Sequence, residues 1–319
     1  MNALSRIRRS LSRDSGRALQ WTIVTSAPKG EAGELWGDTW FARDLAAALR
    51  RAGQHARVVS RAGATSERRA EDDVVVVLRG LREVVPLVDS STVWLLWVIS
   101  HPELVSADEL RSYDAVFVAS EHWKAPAEIE VTALLQATDP SRFAPLSRDS
   151  GAHDVLFVGS TRGEFRPAVR GVLRSDRADD LLLYGVGWAE FVEQSRITGE
   201  FLANEDLPAA YSAADIVLND HHREMAEAGF LSNRLFDAVA SGARVLTDRA
   251  VGLEETFGAS VVAFDNEDHL VDLLAQPIEV VFGDSVSRRL AAARIAEQHS
   301  FDQRAGVLIE RARGIRDTR

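Results

Sequence analysis

The feature that most limits what this chain can fold into is a series of short, unbroken apolar runs, each followed by a segment with helical spacing. Residues 73–78 read DVVVVL and residues 93–99 read VWLLWVI. Runs of that length without alternation suit strands buried on both faces, as in parallel sheets covered by helices. Residues 21–26, 55–59 and 115–119 have the same character. The segment from about 39 to 51 puts Phe41, Leu45, Ala48 and Leu49 on one helical face, and Gly53 ends it. Repeated strand–helix units of about 20–30 residues predict a doubly wound α/β architecture.

The pattern stops at residues 136–153, a loop-like stretch with Pro140, Pro145, Ser147, Ser150 and Gly151, and then restarts. Strands are expected at 154–160, 181–185, 215–219, 243–247 and 260–264, with helices notably at 204–213 and 232–241. A charged helical end is expected at 285–313. A length of 319 residues fits two such domains. The expected organisation is a basic arm at 1–18, an N-terminal Rossmann-like domain at 19–148, a C-terminal Rossmann-like domain at 149–284 and closing helices at 285–319. Two such sheets facing a cleft bind ligands outside the carboxyl ends of their strands, so the chemistry is sought in the loops after each strand.

Charge and composition narrow the function. Lys+Arg number 37 and Asp+Glu 48, a net charge of −11. A general nucleic-acid partner, which calls for a basic face, is not expected. The absence of cysteine removes disulfides, thiolate metal sites and thiol nucleophiles, and fits a cytoplasmic protein. No apolar run approaches the ~20 residues of a membrane span. The N-terminal segment carries Arg6, Arg8, Arg9, Arg13 and Arg17 against Asp14 alone. It reads either as a surface-packed helix or as an arm touching anionic lipid at the inner face of a membrane.

The most informative stretch is residues 219–248, NDHHREMAEAGFLSNRLFDAVASGARVLTD. A strand ends at Asn219. A polar loop follows with His221, His222, Arg223 and Glu224. Ser232 or Asn233 can cap a helix whose free N–H groups form a ready anion site. Arg234 in its first turn adds a fork suited to a diphosphate. Asp237, one turn on, is placed to accept from ribose hydroxyls.

This stretch resembles the donor-nucleotide motif of GT-B glycosyltransferases of the group-1 and spore-maturation-like type: His222-Arg223, then Gly229, then Asn233-Arg234-Leu235-Phe236-Asp237-Ala238, then Gly242 before a strand. Phe157-Val158-Gly159-Ser160-Thr161-Arg162 resembles the first strand and loop of the same domain, with Arg162 or Arg166 within reach of a diphosphate. Residues 199–216 resemble the base-binding edge. His299-Ser300-Phe301 and Arg304 resemble the closing helix, which in the family crosses back to the first domain. The likeness spans most of residues 20–310 and is strongest in the C-terminal half. Two positions depart from the pattern: Asp237 stands for a ribose-binding Glu, and Gly229 for a Glu that contacts the donor sugar in many retaining enzymes. Glu227, Glu224 or His222 are the side chains at hand for that contact.

The resemblance implies transfer of a sugar from a nucleotide diphosphate to a hydroxyl acceptor, a glycan, a lipid-linked glycan or a metabolite, with retention of configuration. No cofactor is expected. No metal is expected either, since Asp-x-Asp is absent and Asp72-Asp73 and Asp179-Asp180 lack its spacing. In the N-terminal half His101, just after a buried strand, is the first candidate for a catalytic base, because an imidazole titrates near working pH. Asp38 is the second. Trp36 and Trp40 flank the same first loop and either stack on a sugar or pack in the ordinary way. Two other classes remain open, a sugar-nucleotide epimerase on the same scaffold and a non-catalytic nucleotide-sugar or glycan-binding subunit.

Overall fold

The computed structural model describes residues 17–67, 69, 71–87, 91–146 and 154–319. Residues 1–16 of the basic arm and 147–153 of the Pro- and Ser-rich loop lie outside them. The chain forms two compact units.

The first unit comprises the described residues up to Ala119 together with Lys124–Leu134 and Phe301–Arg319. Its six strands are β1 (Gln20–Val24), β2 (His55–Val59), β3 (Val74–Arg79), β4 (Val93–Val98), β5 (Ala115–Val118) and β6 (Thr132–Ala133), in the order β2-β1-β3-β4-β5-β6. Every pairing is parallel, with Ile23 opposite Val58 and Val76 opposite Leu95. All residues of β3 and β4 are buried, as unbroken apolar runs require of central strands. Helix Gly37–Arg51 lays Phe41, Leu45 and Leu49 on the sheet. Gly53 is left-handed, and the Gln54 amide donates back to the Leu49 carbonyl, which closes the helix. The terminal helix Phe301–Thr318 belongs here too. Phe301 meets Phe41 edge-on with ring centres 4.7 Å apart, and Ala305, Leu308 and Ala312 are buried behind it.

The second unit comprises Ser120–Trp123 and Leu135–Ser300. Its strands are β7 (Val155–Val158), β8 (Leu181–Tyr184), β9 (Ile216–Leu218), β10 (Val245–Asp248) and β11 (Val261–Phe264), all parallel in the order β11-β10-β9-β7-β8. Phe236, Leu235 and Val239 of helix Asn233–Ala240 form one core with Leu156, Val217 and Val245. Phe157, Val169, Leu183 and Trp188 form another.

The division differs from the expected boundaries. Leu135, ahead of the Pro- and Ser-rich loop, and Phe143, within it, pack in the core of the second unit, as does Ile295 from helix Ser285–Gln298. The helical end is two helices, separated at His299 and Ser300, where the Thr138 amide takes the His299 carbonyl. Loop-forming residues show where the backbone turns. They do not show which sheet buries the apolar side chains on either side.

Both sheets follow the same winding. In each, the first strand lies between the second and the third, so connections depart in opposite directions from β1/β3 and from β7/β9. The carboxyl ends at such a switch leave a crevice where doubly wound sheets take ligands. The loops after β1, β3, β7 and β9 are therefore the places to look.

Candidate functional site

Three arginines meet at the carboxyl ends of β7 and β9. Arg166 precedes helix Pro167–Leu173 and is buried. Its Nη1 donates to the Ser160 carbonyl (3.0 Å), its Nη2 to the Asp220 carbonyl (3.1 Å), and it is ion-paired with the Asp220 carboxylate. Arg234, in the first turn of helix Asn233–Ala240, donates through Nη1 to Asn219 Oδ1 (2.8 Å) and through Nη2 to the Val158 carbonyl. Both guanidiniums lie over the Phe157 ring, 4.6 Å and 5.7 Å from its centre. Arg162, in the loop after β7, has φ of 58°, a left-handed conformation that costs a non-glycine residue energy. Burial first, then repulsion from Arg234 for Arg162 and from Arg162 and Arg234 for Arg166, holds both guanidiniums below the ordinary value. Such a cluster gains energy from an anion. The loop opposite comes close enough to demand glycine: a Cβ on Gly185 would lie 2.1 Å from the Gly159 carbonyl oxygen.

A second set of bonds fixes the helix start. The imidazole of His221 is fully buried. Its Nε2 accepts the Ser232 amide at 3.1 Å, so its ring proton sits on Nδ1, which reaches Asp248 Oδ1 at 2.7 Å. Asp248 also accepts the His221 amide (3.0 Å) and the Thr247 hydroxyl (3.0 Å). Burial pushes the Asp248 carboxyl up, but the bonds from His221 and Thr247 outweigh it and hold it below its ordinary value. Thr247 Oγ1 in turn accepts from Asn219 Nδ2 (2.9 Å), whose Oδ1 receives Arg234. Hydrogen bonds thus run continuously from Arg234 through Asn219, Thr247, Asp248 and His221 to the Ser232 amide.

The other residues singled out in the sequence fall in different places. Asn233 donates to Asp237 Oδ2 at 2.7 Å, and its own Oδ1 is buried without a hydrogen-bond partner among the described residues. Asp237 is buried. Ser232 occupies the N-cap but makes no side-chain cap bond. Arg223 and Glu227 are not brought to the arginine cluster. They pair with each other at 2.7 Å on an exposed helical face, 84% and 63% exposed, in the ordinary four-residue helical spacing. His222 is the half-buried cap residue of that helix.

Gly229 ends helix Arg223–Ala228 with φ of 73°, and the Phe230 amide returns to the Met225 carbonyl. A Cβ there would meet Ser120 Oγ at 2.9 Å. This position is a left-handed helix stop that a side chain would fit poorly. His221, Asn219 and Asp248 were missed in the sequence. The available signal was their placement at the ends of consecutive strands β9 and β10, which brings residues 27 apart in sequence into contact.

In the first unit, Asp38 lies at the β1/β3 switch. It is half-buried, hydrogen-bonded to Ser26, and burial raises its carboxyl to about 6 despite that bond. Ser26 Oγ accepts the Gly80 amide at 2.8 Å and donates to the Leu78 carbonyl at 3.2 Å. His101 follows β4 with φ of 53°, directly before Pro102, and its Nδ1 lies 3.0 Å from Ser100 Oγ. Beside it, buried Arg79 pairs with Glu109 at 2.7 Å and donates to the Leu104 carbonyl at 2.9 Å, fixing the loop after β4. Trp40 Nε1 donates to the Glu34 carbonyl, and Arg43 lies 4.8 Å over its ring, so that face is occupied by the protein itself. Among the described residues no group of three or more His, Asp or Glu side chains is arranged to hold a metal ion, and no helix is long and apolar enough to cross a membrane.

A family model described as glycosyl transferase-like matches residues 165–310. No curated protein sequence matches the chain. Among solved structures, AviGT4, a glycosyltransferase of avilamycin A biosynthesis, superposes with a TM-score of 0.64 at 16% identity, over 93% of this chain and 98% of its own. The sucrose-phosphate synthase of Thermosynechococcus elongatus gives 0.64 at 15% identity, over 94% and 100%. Anabaena HepE, solved in complex with UDP-glucose, gives 0.59 at 12% identity, over 92% and 99%.

Proposed function

We propose that this chain, which has the GT-B fold and matches a glycosyl transferase-like family model over residues 165–310, moves a sugar from a nucleotide-diphosphate donor to a hydroxyl acceptor. The observation that carries the reading is the meeting of Arg162, Arg166 and Arg234 at the β7/β9 switch, beside the start of helix Asn233–Ala240. When the glycosidic bond breaks, charge develops on the departing diphosphate. Fixed cations and helix N–H groups stabilise that charge without reorganising during the reaction. Of the three, Arg166 is bound into the protein by Asp220 and serves as a fixed background charge. Arg162 and Arg234 are the groups that would meet the phosphates. The partnerless Oδ1 of Asn233, next to Asp237, is suited to accept from a ribose hydroxyl.

The first unit supplies the candidate bases. Asp38 is favoured over His101. Its carboxyl, raised to about 6, is basic enough to take a hydroxyl proton as the new bond forms and is still ionised at neutral pH. We read the transfer as retaining and independent of metal, with arginines in the place a cation would take. The anomeric proton coupling of the product and activity in excess EDTA test these two points.

The decisive experiment is a calorimetric and thermal-shift screen against UDP-, GDP-, dTDP- and ADP-sugars, since a ligand that binds the native state raises apparent stability. Arg234→Ala should weaken binding of the preferred donor about 10–100-fold, the loss expected for one charge-assisted phosphate contact. Unchanged affinity in that variant removes the phosphate role. Consumption of donor with no glycosylated product from any hydroxyl acceptor points to an epimerase or hydrolase instead.

A further inference from the structure

The bond between His221 and the Ser232 amide does something that the arginine cluster does not. A helix start attracts anions because its first N–H groups lack partners. Here the foremost of them is taken by the protein itself, through a ring with 0% side-chain exposure, which is turned and held by Asp248 at 2.7 Å. The same Asp248 is linked through Thr247 and Asn219 to Nη1 of Arg234. One carboxylate therefore sets both the direction in which the helix start points and the position of the guanidinium in its first turn.

We infer that His221 is a positioning residue for donor binding: its unprotonated Nε2 clamps the Ser232 amide and so aims the next N–H groups and Arg234 at the diphosphate. The inference rests on the donor reading above. It requires the Nδ1–H tautomer. Asp248 Oδ1, at 2.7 Å, holds that proton on Nδ1 and leaves Nε2 to accept the Ser232 amide at 3.1 Å.

Two substitutions separate the two ring nitrogens. In His221→Gln the side-chain amide oxygen reaches the place of Nε2 and can accept the Ser232 amide. In His221→Asn the amide reaches only the place of Nδ1, which keeps a donor for Asp248 and leaves the Ser232 amide without its acceptor. Binding of inorganic pyrophosphate and of UDP is measured by calorimetry on the full chain at neutral pH, with thermal unfolding of each unliganded variant alongside.

At neutral pH His221→Asn should bind about tenfold more weakly than wild type, and His221→Gln within about threefold of it. Equal affinity in all three proteins, or a loss in His221→Gln as large as that in His221→Asn, overturns the positioning role. If His221→Asn does not fold, His221→Gln alone decides, since a loss well beyond about threefold in it overturns the role of an acceptor at this place. Failure of wild type to bind either ligand is a different result, and it overturns the donor reading itself.

Discussion

A carboxyl raised by burial lowers native stability. Asp38 titrates at about 6 in the folded protein against an ordinary 3.8, so between those values the native state keeps a proton that the unfolded chain has lost. Stability therefore falls as pH rises through that window and stays lower above it. Asp38→Asn should remove the penalty and raise stability at pH 7.5 by about 1–2 kcal/mol, read from denaturant midpoints. If Asp38 is the base, the same variant should lose about 100-fold or more in kcat, and wild-type kcat/KM should fall on acidification below about 6. A variant that is both more stable and fully active would leave Asp38 without a catalytic role. Arg166 poses the opposite problem. Its removal in Arg166→Met leaves the Asp220 carboxylate buried without its partner. A loss of about 3–5 kcal/mol in chemical unfolding is expected.

At the scale of the element, helix Arg223–Ala228 shows how a backbone requirement can look like a lost functional group. The family pattern suggested a carboxylate at position 229, yet the left-handed stop and the nearby Ser120 hydroxyl, which donates to the Ala228 carbonyl at 2.7 Å, call for glycine. Gly229→Ala should cost about 1–2 kcal/mol of stability, from the positive φ and the crowded Cβ together. Donor affinity of the folded variant should stay close to wild type, and a loss well beyond the stability change would return position 229 to the site. Arg223→Ala should leave donor binding unchanged, because its guanidinium is spent on an exposed pair with Glu227.

At the scale of the whole chain, the last helix packs into a unit whose strands all come from the N-terminal part of the sequence. Phe301 is buried against Phe41, and Arg319 and Arg316 reach Asp114 and Asp73 in the same unit. Phe301→Ala should destabilise the first unit by about 3–5 kcal/mol. Hydrogen exchange should quicken in β1 to β4, while β7 to β11 keep their protection. Equal loss in both units would show that they unfold as one.

Strand–helix periodicity and unbroken valine runs determined the two parallel sheets, because a strand buried on both faces must be apolar throughout. The helix start carrying Arg234 was legible as well, since a glycine-bounded helix following a strand has local signals. Other features came only from tertiary structure. Leu135 and Phe143 joined the second core because burial depends on neighbours distant in sequence. His221 rather than His222 became the buried ring, because only the neighbouring strand β10 brings Asp248 to it. Arg223 and Glu227 carried suitable charges in a suitable motif, but the direction of one short helix pointed them into solvent. Residue type sets what a side chain can do, and the packing of its element decides whether it is in place to do it.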